Sequence, residues 1–184
     1  MQRWMAPLLL AAAMLASGSA PSIADAVADC NASPDPQLQI RACSIVIDDG
    51  ATSAANRAVA LGNRGNAFGM LRRSREALAD YAAAIAIDPD DPLTFYNRGN
   101  VLFDLGRLKE AIRDYTRATE LHDAFALAYY NRGLAREKLG DLTGATEDYR
   151  IVESLDDPVA AKAKARREKL GGRRPAHRGA GTGN

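Results

Sequence analysis

The tripeptide Asn-Arg-Gly stands at residues 63–65, 97–99 and 131–133, a step of 34 residues. Asp-Tyr recurs at 80–81, 114–115 and 148–149 with the same step. Ala77, Ala111 and Ala145 keep it, as do Leu71, Leu105 and Leu139. Four coincident series at one period mean a supersecondary unit stacked on copies of itself, because one such unit cannot bury its apolar face alone. Each unit reads as two helices joined by a tight turn. In the middle unit Phe95, Leu102 and Leu105 make one helical stripe, and Gly106 ends it. Leu108, Ala111, Ile112, Tyr115, Ala118 and Leu121 make the second. Gly99 and Ala111 are the small residues expected where the two helices approach. Gly133, Gly140, Ala145 and Tyr149 repeat the pattern. In the first unit Arg72 replaces the turn glycine and Ser74 an apolar residue, so a looser turn is expected there.

The ends differ from this body. Arg3 followed by the apolar stretch from Met5 to Ala16 reads as a secretory leader, too short for a finished membrane span. Ala24-Asp25-Ala26 is the preferred cut. Gly18-Ser19-Ala20 would leave Pro21 just after the cut, which processing enzymes usually dislike. The alternative is an uncleaved anchor. A lipid anchor needs a small residue before Cys30, and Asp29 stands there. From Val159 onward eight basic residues face one acid, Glu168, so the body before it is net acidic although the whole chain carries only +1. After Gly171-Gly172 the tail has no apolar residue larger than Ala or Pro and is expected to be disordered.

Export would place Cys30 and Cys43, the only two cysteines, in an oxidising compartment. Asp35 with Pro36 behind it reads as a helix start. Ile40, Cys43 and Ile47 then share one face, pointing Cys43 inward. A structural disulfide is expected; a redox or metal pair would want a closer spacing or a nearby His.

The period, the first-helix glycine (Gly65, Gly99, Gly133), the second-helix alanine, the paired aromatics and Asp88-Pro89 closing a unit together resemble the tetratricopeptide-repeat family. The resemblance is strongest over 58–157. Two departures stand out: Asp123 replaces the proline of Asp88-Pro89, and Asp157-Pro158 is displaced. It implies an all-α, right-handed solenoid of stacked helix-turn-helix units. The expected layout is a leader at 1–26, a partial repeat or cap at 27–57, and units at 58–91, 92–125 and 126–157. A capping helix at 158–170 and a basic tail at 171–184 follow.

The resemblance also implies a concave face lined by the first helices, where an extended peptide or a partner's helix is held. Asn63, Asn66, Asn97, Asn100 and Asn131 are candidate contacts, because amides donate and accept toward a peptide backbone. Tyr96 and Tyr130 add flat apolar surface with a polar tip. The same amides would equally serve as bonds between neighbouring repeats. The subtype that grips a C-terminal carboxylate needs cations in the groove, and Gly62, Tyr96 and Tyr130 occupy the position where its lysine is expected. Arg64, Arg98 and Arg132 run in register with Asp80, Asp114 and Asp148, predicting one salt bridge per unit; as exposed pairs these would be worth roughly 0.2–1 kcal/mol each.

No enzyme is expected. His122 and His177 lack a nucleophile or metal-spaced partner, no glycine-rich phosphate loop follows a strand, and no cofactor is implied. The Asp88–Asp91 cluster lacks the glycine and distal glutamate of a calcium loop and reads as a polar turn. The partner is a protein or peptide in the bacterial periplasm, with nucleic acid excluded by export. The basic tail offers a second route, contact with an acidic envelope surface.

Overall fold

A computed structural model describes residues 22–171, and among them the chain forms nine helices and no strand. The expected leader up to residue 21 and the basic tail from residue 172 lie outside the described residues. The helices are α1 (Ile23–Ala32), α2 (Pro36–Asp48), α3 (Ala54–Met70), α4 (Ser74–Ile87), α5 (Pro92–Asp104), α6 (Leu108–Leu121), α7 (Ala126–Lys138), α8 (Leu142–Ser154) and α9 (Ala160–Gly171). They pack as successive hairpins, α1 with α2, α3 with α4, α5 with α6 and α7 with α8, and α9 closes the stack against α8. This is an all-α solenoid.

Local chemistry sets the helix starts. Asp35, Ser53, Asp91 and Asp141 each accept a hydrogen bond from a backbone N–H of the first turn, satisfying donors that have no partner within the helix. Pro36 and Pro92 occupy first-turn positions, where a missing N–H costs nothing. Gly106 and Gly140 turn the chain out of α5 and α7 at φ +72° and +82°. Arg72 adopts the same left-handed conformation at φ +59°. Its turn is closed as tightly as the others: Arg73 N donates to Phe68 O at 2.9 Å, as Arg107 N does to Leu102 O at 2.9 Å. The looser turn expected from Arg72 is therefore not found. Packing on both sides outweighs the roughly 1–2 kcal/mol that a side chain costs at such a φ.

Tyr81, Tyr115 and Tyr149 are buried between the helices of their units, as are Ala77, Ala111 and Ala145. Each tyrosine ring lies flat on a glycine. A Cβ built at Gly65, Gly99 or Gly133 would come within 2.8, 2.7 and 2.7 Å of the ring, closer than any side chain tolerates. Gly99 thus makes room for Tyr115, whereas Ala111 packs with Leu102 and Ala135. Leu105 does not complete the stripe of Phe95 and Leu102. It is the C-cap of α5 and is exposed, as is Leu139 after α7. This leucine series recurs because the turn does.

The N-terminal hairpin is closed covalently. Cys30 of α1 and Cys43 of α2 form a disulfide with a Cα–Cα distance of 4.6 Å, and both residues are buried. Helix α1 begins before the expected boundary at residue 26. Ser22 and Asp25 form a reciprocal capping box, and Ala26 is buried beside Cys30. Helix α3 likewise starts at Ala54, four residues before the repeat pattern becomes legible.

Candidate functional site

Helix α3 approaches α5, and α5 approaches α7. Among the described residues no comparable approach joins α4 to α6 or α6 to α8. The first helices of the units therefore line the inside of the curve. On that side an apolar residue precedes an asparagine by four positions in each of them: Val59 and Asn63 on α3, Leu93 and Asn97 on α5, Leu127 and Asn131 on α7. Positions i and i+4 share one helix face. Helix α1 has the same pair in Val27 and Asn31. The four apolar residues are 40 % (Val27), 56 % (Val59), 53 % (Leu93) and 44 % (Leu127) exposed. This is an apolar row at a regular step, left half-open beside amides. The 34-residue step joins Val59, Leu93 and Leu127 in the sequence, but their exposure is visible only in the structure.

The amides proposed as groove contacts divide into two kinds. Tyr81 donates its hydroxyl to Asn66 Oδ1 at 2.7 Å, and Tyr115 donates to Asn100 Oδ1 at 2.8 Å. Asn131 donates to Asn100 Oδ1 at 2.9 Å and to Tyr96 Oη at 3.3 Å, linking α7 to α5. Asn63 donates to Asn31 Oδ1 at 3.1 Å, linking α3 to α1. The Asn66 and Asn100 bonds to tyrosine close a unit on itself, and those of Asn131 and Asn63 tie neighbouring units together. Asn97 lines the cleft between α3 and α5, and its side chain has no hydrogen-bond partner among the described residues. The ring of Tyr96 packs 4.8 Å from Phe125, and that of Tyr130 lies 5.8 Å from Tyr149. Burial pushes the phenol pKa values of Tyr81, Tyr115 and Tyr149 well above the usual range, so these hydroxyls stay protonated donors.

The arginine and aspartate series meet as expected, but not at the surface. Arg64 binds Asp80 at 2.7 and 2.8 Å, and Arg98 binds Asp114 at 2.7 and 2.7 Å, each in a two-pronged pair. Asp80 and Asp114 are only 7 % exposed. Hydrogen bonding to Asp80 raises the Arg64 pKa further. In the last unit Asp148 is fully buried and takes both Arg132 at 2.7 Å and Arg136 at 2.8 Å. Arg132 also donates to Thr119 and Thr116 of α6, at 3.0 and 3.2 Å. The low value expected for exposed pairs does not apply to these, since removing one partner strands a buried charge.

Other candidates are accounted for in the same way. His122 is the exposed C-cap of α6, with its ring 5.7 Å from Phe125. His177 lies outside the described residues. Asp91 is engaged in capping α5, and Asp90 pairs with Arg117 at 3.2 Å. Among the described residues no helix is long and apolar enough to cross a membrane.

The family described as TPR repeat matches residues 74–106 and 99–140, and the one described as Tetratricopeptide repeat matches 126–157. No curated protein matches the chain. Among solved structures, the first TPR of Spaghetti (RPAP3) bound to the HSP90 peptide SRMEEVD is 29 % identical with a TM-score of 0.61, over 64 % of this chain and 93 % of that one. The second TPR domain of human RPAP3, in complex with the HSP70 peptide SGPTIEEVD, is 28 % identical with a TM-score of 0.60, over 65 % and 98 %. MamA protein shares the fold at 21 % identity and a TM-score of 0.65, over 82 % and 85 %.

Proposed function

Because the chain belongs to the tetratricopeptide-repeat family, we propose that it is a non-catalytic adaptor whose concave face holds an extended segment of another protein. The observation that carries this reading is the half-exposed row of Val59, Leu93 and Leu127, each one turn from an asparagine. Burying such a row is favourable at about 25 cal/mol per Å² of apolar surface. Similar domains are held with peptides in their structures, which supports the same use of this face. Asn97 is the amide freest to meet a peptide backbone. Asn131 bonds both Asn100 and Tyr96, so it contributes to the scaffold as well.

The adaptor would act in the bacterial cell envelope, after export. The leader reading and the two cysteines joined in a disulfide support this together. A cut after Ala20 leaves that box and the buried Ala26 in place, whereas a cut after Ala26 removes both. That packing supports a cut after Ala20, the site ranked second because Pro21 follows it.

Leu93→Asp combined with Leu127→Asp is expected to lower capture of the partner from an envelope extract at least tenfold. Stability should hold within about 1 kcal/mol, because both side chains are already about half exposed. Quantitative mass spectrometry of captured protein, beside a melting curve, is the measurement. Equal capture by the parent and the double variant would refute the groove. A second reading, docking through the basic C-terminal end, draws on Lys162, Lys164 and Lys169 of α9, which are exposed and unpaired among the described residues. Deleting 171–184 together with Lys162→Gln, Lys164→Gln and Lys169→Gln separates the two readings: a groove adaptor keeps its partner, and a factor docked through its basic end loses its location.

A further inference from the structure

One position of the repeat breaks its own pattern on the concave side. Tyr96 and Tyr130 recur at the 34-residue step, but the same place in the preceding unit holds Gly62. The tyrosine rings fill their stretch of the groove, Tyr96 against Phe125 and Tyr130 against Tyr149. At Gly62 that volume is empty. A Cβ built there would meet only Thr94 Oγ1, at 3.7 Å, an ordinary contact. Gly62 is therefore not required by packing, unlike Gly65 one turn on, whose Cβ would strike Tyr81.

The consequence is a cavity of about 430 Å³ between α3 and α5, within the size range of sites that bury a ligand group. Its apolar walls come from Ala58, Val59, Ala84 and Leu93, and Asn97 adds an unengaged amide. Three carboxylates, Asp88, Asp90 and Asp91, line it, and no lysine or arginine does. Asp91 is used in capping α5 and Asp90 is shared with Arg117. Asp88 accepts one bond, from Asp90 N, on Oδ1, and its other oxygen has no hydrogen bond among the described residues.

We propose that this cavity is a side-chain pocket for a lysine or arginine of the partner's extended segment. The inference rests on the reading that the concave face holds such a segment. A cleft with apolar walls and carboxylates in its lining suits a side chain with an aliphatic stem and a cationic head. The stem lies along Val59, Ala84 and Leu93, and the head reaches Asp88 with Asp90 beside it. An acidic residue at that place meets like charge and is rejected, which gives the groove a sign as well as a shape. Gly62 is then the residue that determines specificity.

The test uses the full-length protein, immobilised, and a randomised nonapeptide library. Peptides retained by the parent are expected to show lysine and arginine enriched about fivefold at one position, with retention falling as salt rises. Gly62→Tyr installs the ring of the next two units, and Asp88→Asn with Asp90→Asn removes the charge. Each should abolish the enrichment while the melting curve stays near that of the parent. The same lysine and arginine frequency in the pools from parent and variants would overturn the pocket. Should Gly62→Tyr fail to fold, the asparagine pair alone decides. If Leu93→Asp with Leu127→Asp loses all retention but the pocket variants keep the enrichment, the groove stands and the pocket is wrong. If the parent retains no peptide, both fall.

Discussion

Asp148→Ala is expected to destabilise the protein by about 3–5 kcal/mol, the range for breaking a buried ion pair by removing one partner. Asp148 is wholly buried and receives both Arg132 and Arg136. Without it, Arg132 keeps its threonine partners but has no counter-charge, in a setting that water scarcely reaches. The neighbouring Glu147 provides the control within the same helix. Its pair with Arg150 is 3.6 Å long, and both side chains are more than half exposed. Glu147→Ala is accordingly worth roughly 0–1 kcal/mol. Urea unfolding of the two variants beside the parent measures the contrast, and an Asp148→Ala loss below about 1 kcal/mol would show that the pair is solvated after all. Stability in a stack is close to a sum over units and their interfaces. The loss should therefore appear first as weakened amide protection in α7, α8 and α9.

Replacing both Cys30 and Cys43 by alanine should cost about 3 kcal/mol in the chain-entropy account of a loop this size. The loss falls on the N-terminal hairpin. Helices α1 and α2 are short, and among the described residues they pack chiefly on each other and on α3. Hydrogen exchange is the suitable readout: protection in α1 and α2 drops by about two orders of magnitude, while α7 and α8 are unchanged. Equal protection in the reduced and oxidised proteins would mean that packing alone holds the hairpin.

The fold was legible because its strongest determinants repeat. Gly99, Ala111, Asp114 and Tyr115 each recur one unit earlier and one later, and every series proved to be a fixed place in the stack. What the series do not reveal is depth. The Arg98 and Asp114 series predicts a pair but not that the carboxylate is buried, since burial depends on the neighbouring unit. The Leu105 series likewise resembles a core stripe, yet it marks the exposed end of a helix. Arg72 pointed to a looser turn, because sequence shows the cost of a side chain at positive φ and not the packing that outweighs it. At the N-terminus the pattern fades to a partial repeat: α1 lies outside the 34-residue register, and the disulfide and Asn31 meeting Asn63 fix its place in the stack.

The candidate site was half visible. Asn63, Asn97, Asn131, Tyr96 and Tyr130 share the period; the structure sets Asn131 against Tyr96 and leaves Asn97 in the cleft between α3 and α5. Val59, Leu93 and Leu127 share that period but read as ordinary helix residues, because exposure at a half-buried position has no signature in one sequence. Gly62 stood out only as the missing member of the tyrosine series. Its meaning depends on the cavity that it leaves.

Site-specific photo-crosslinking tests the adaptor reading most directly. A photoreactive residue at position 93 lies on the concave row, and one at position 113 stands on α6, where Arg113 is exposed on the opposite layer. Irradiation in envelope extract should join position 93 to one or a few proteins, competed by excess unlabelled parent and lost when Leu127→Asp is added. Position 113 should give no competed product. Crosslinks of equal yield and identity from both positions, or a competed product from 113 alone, would contradict a binding face on the inside of the solenoid.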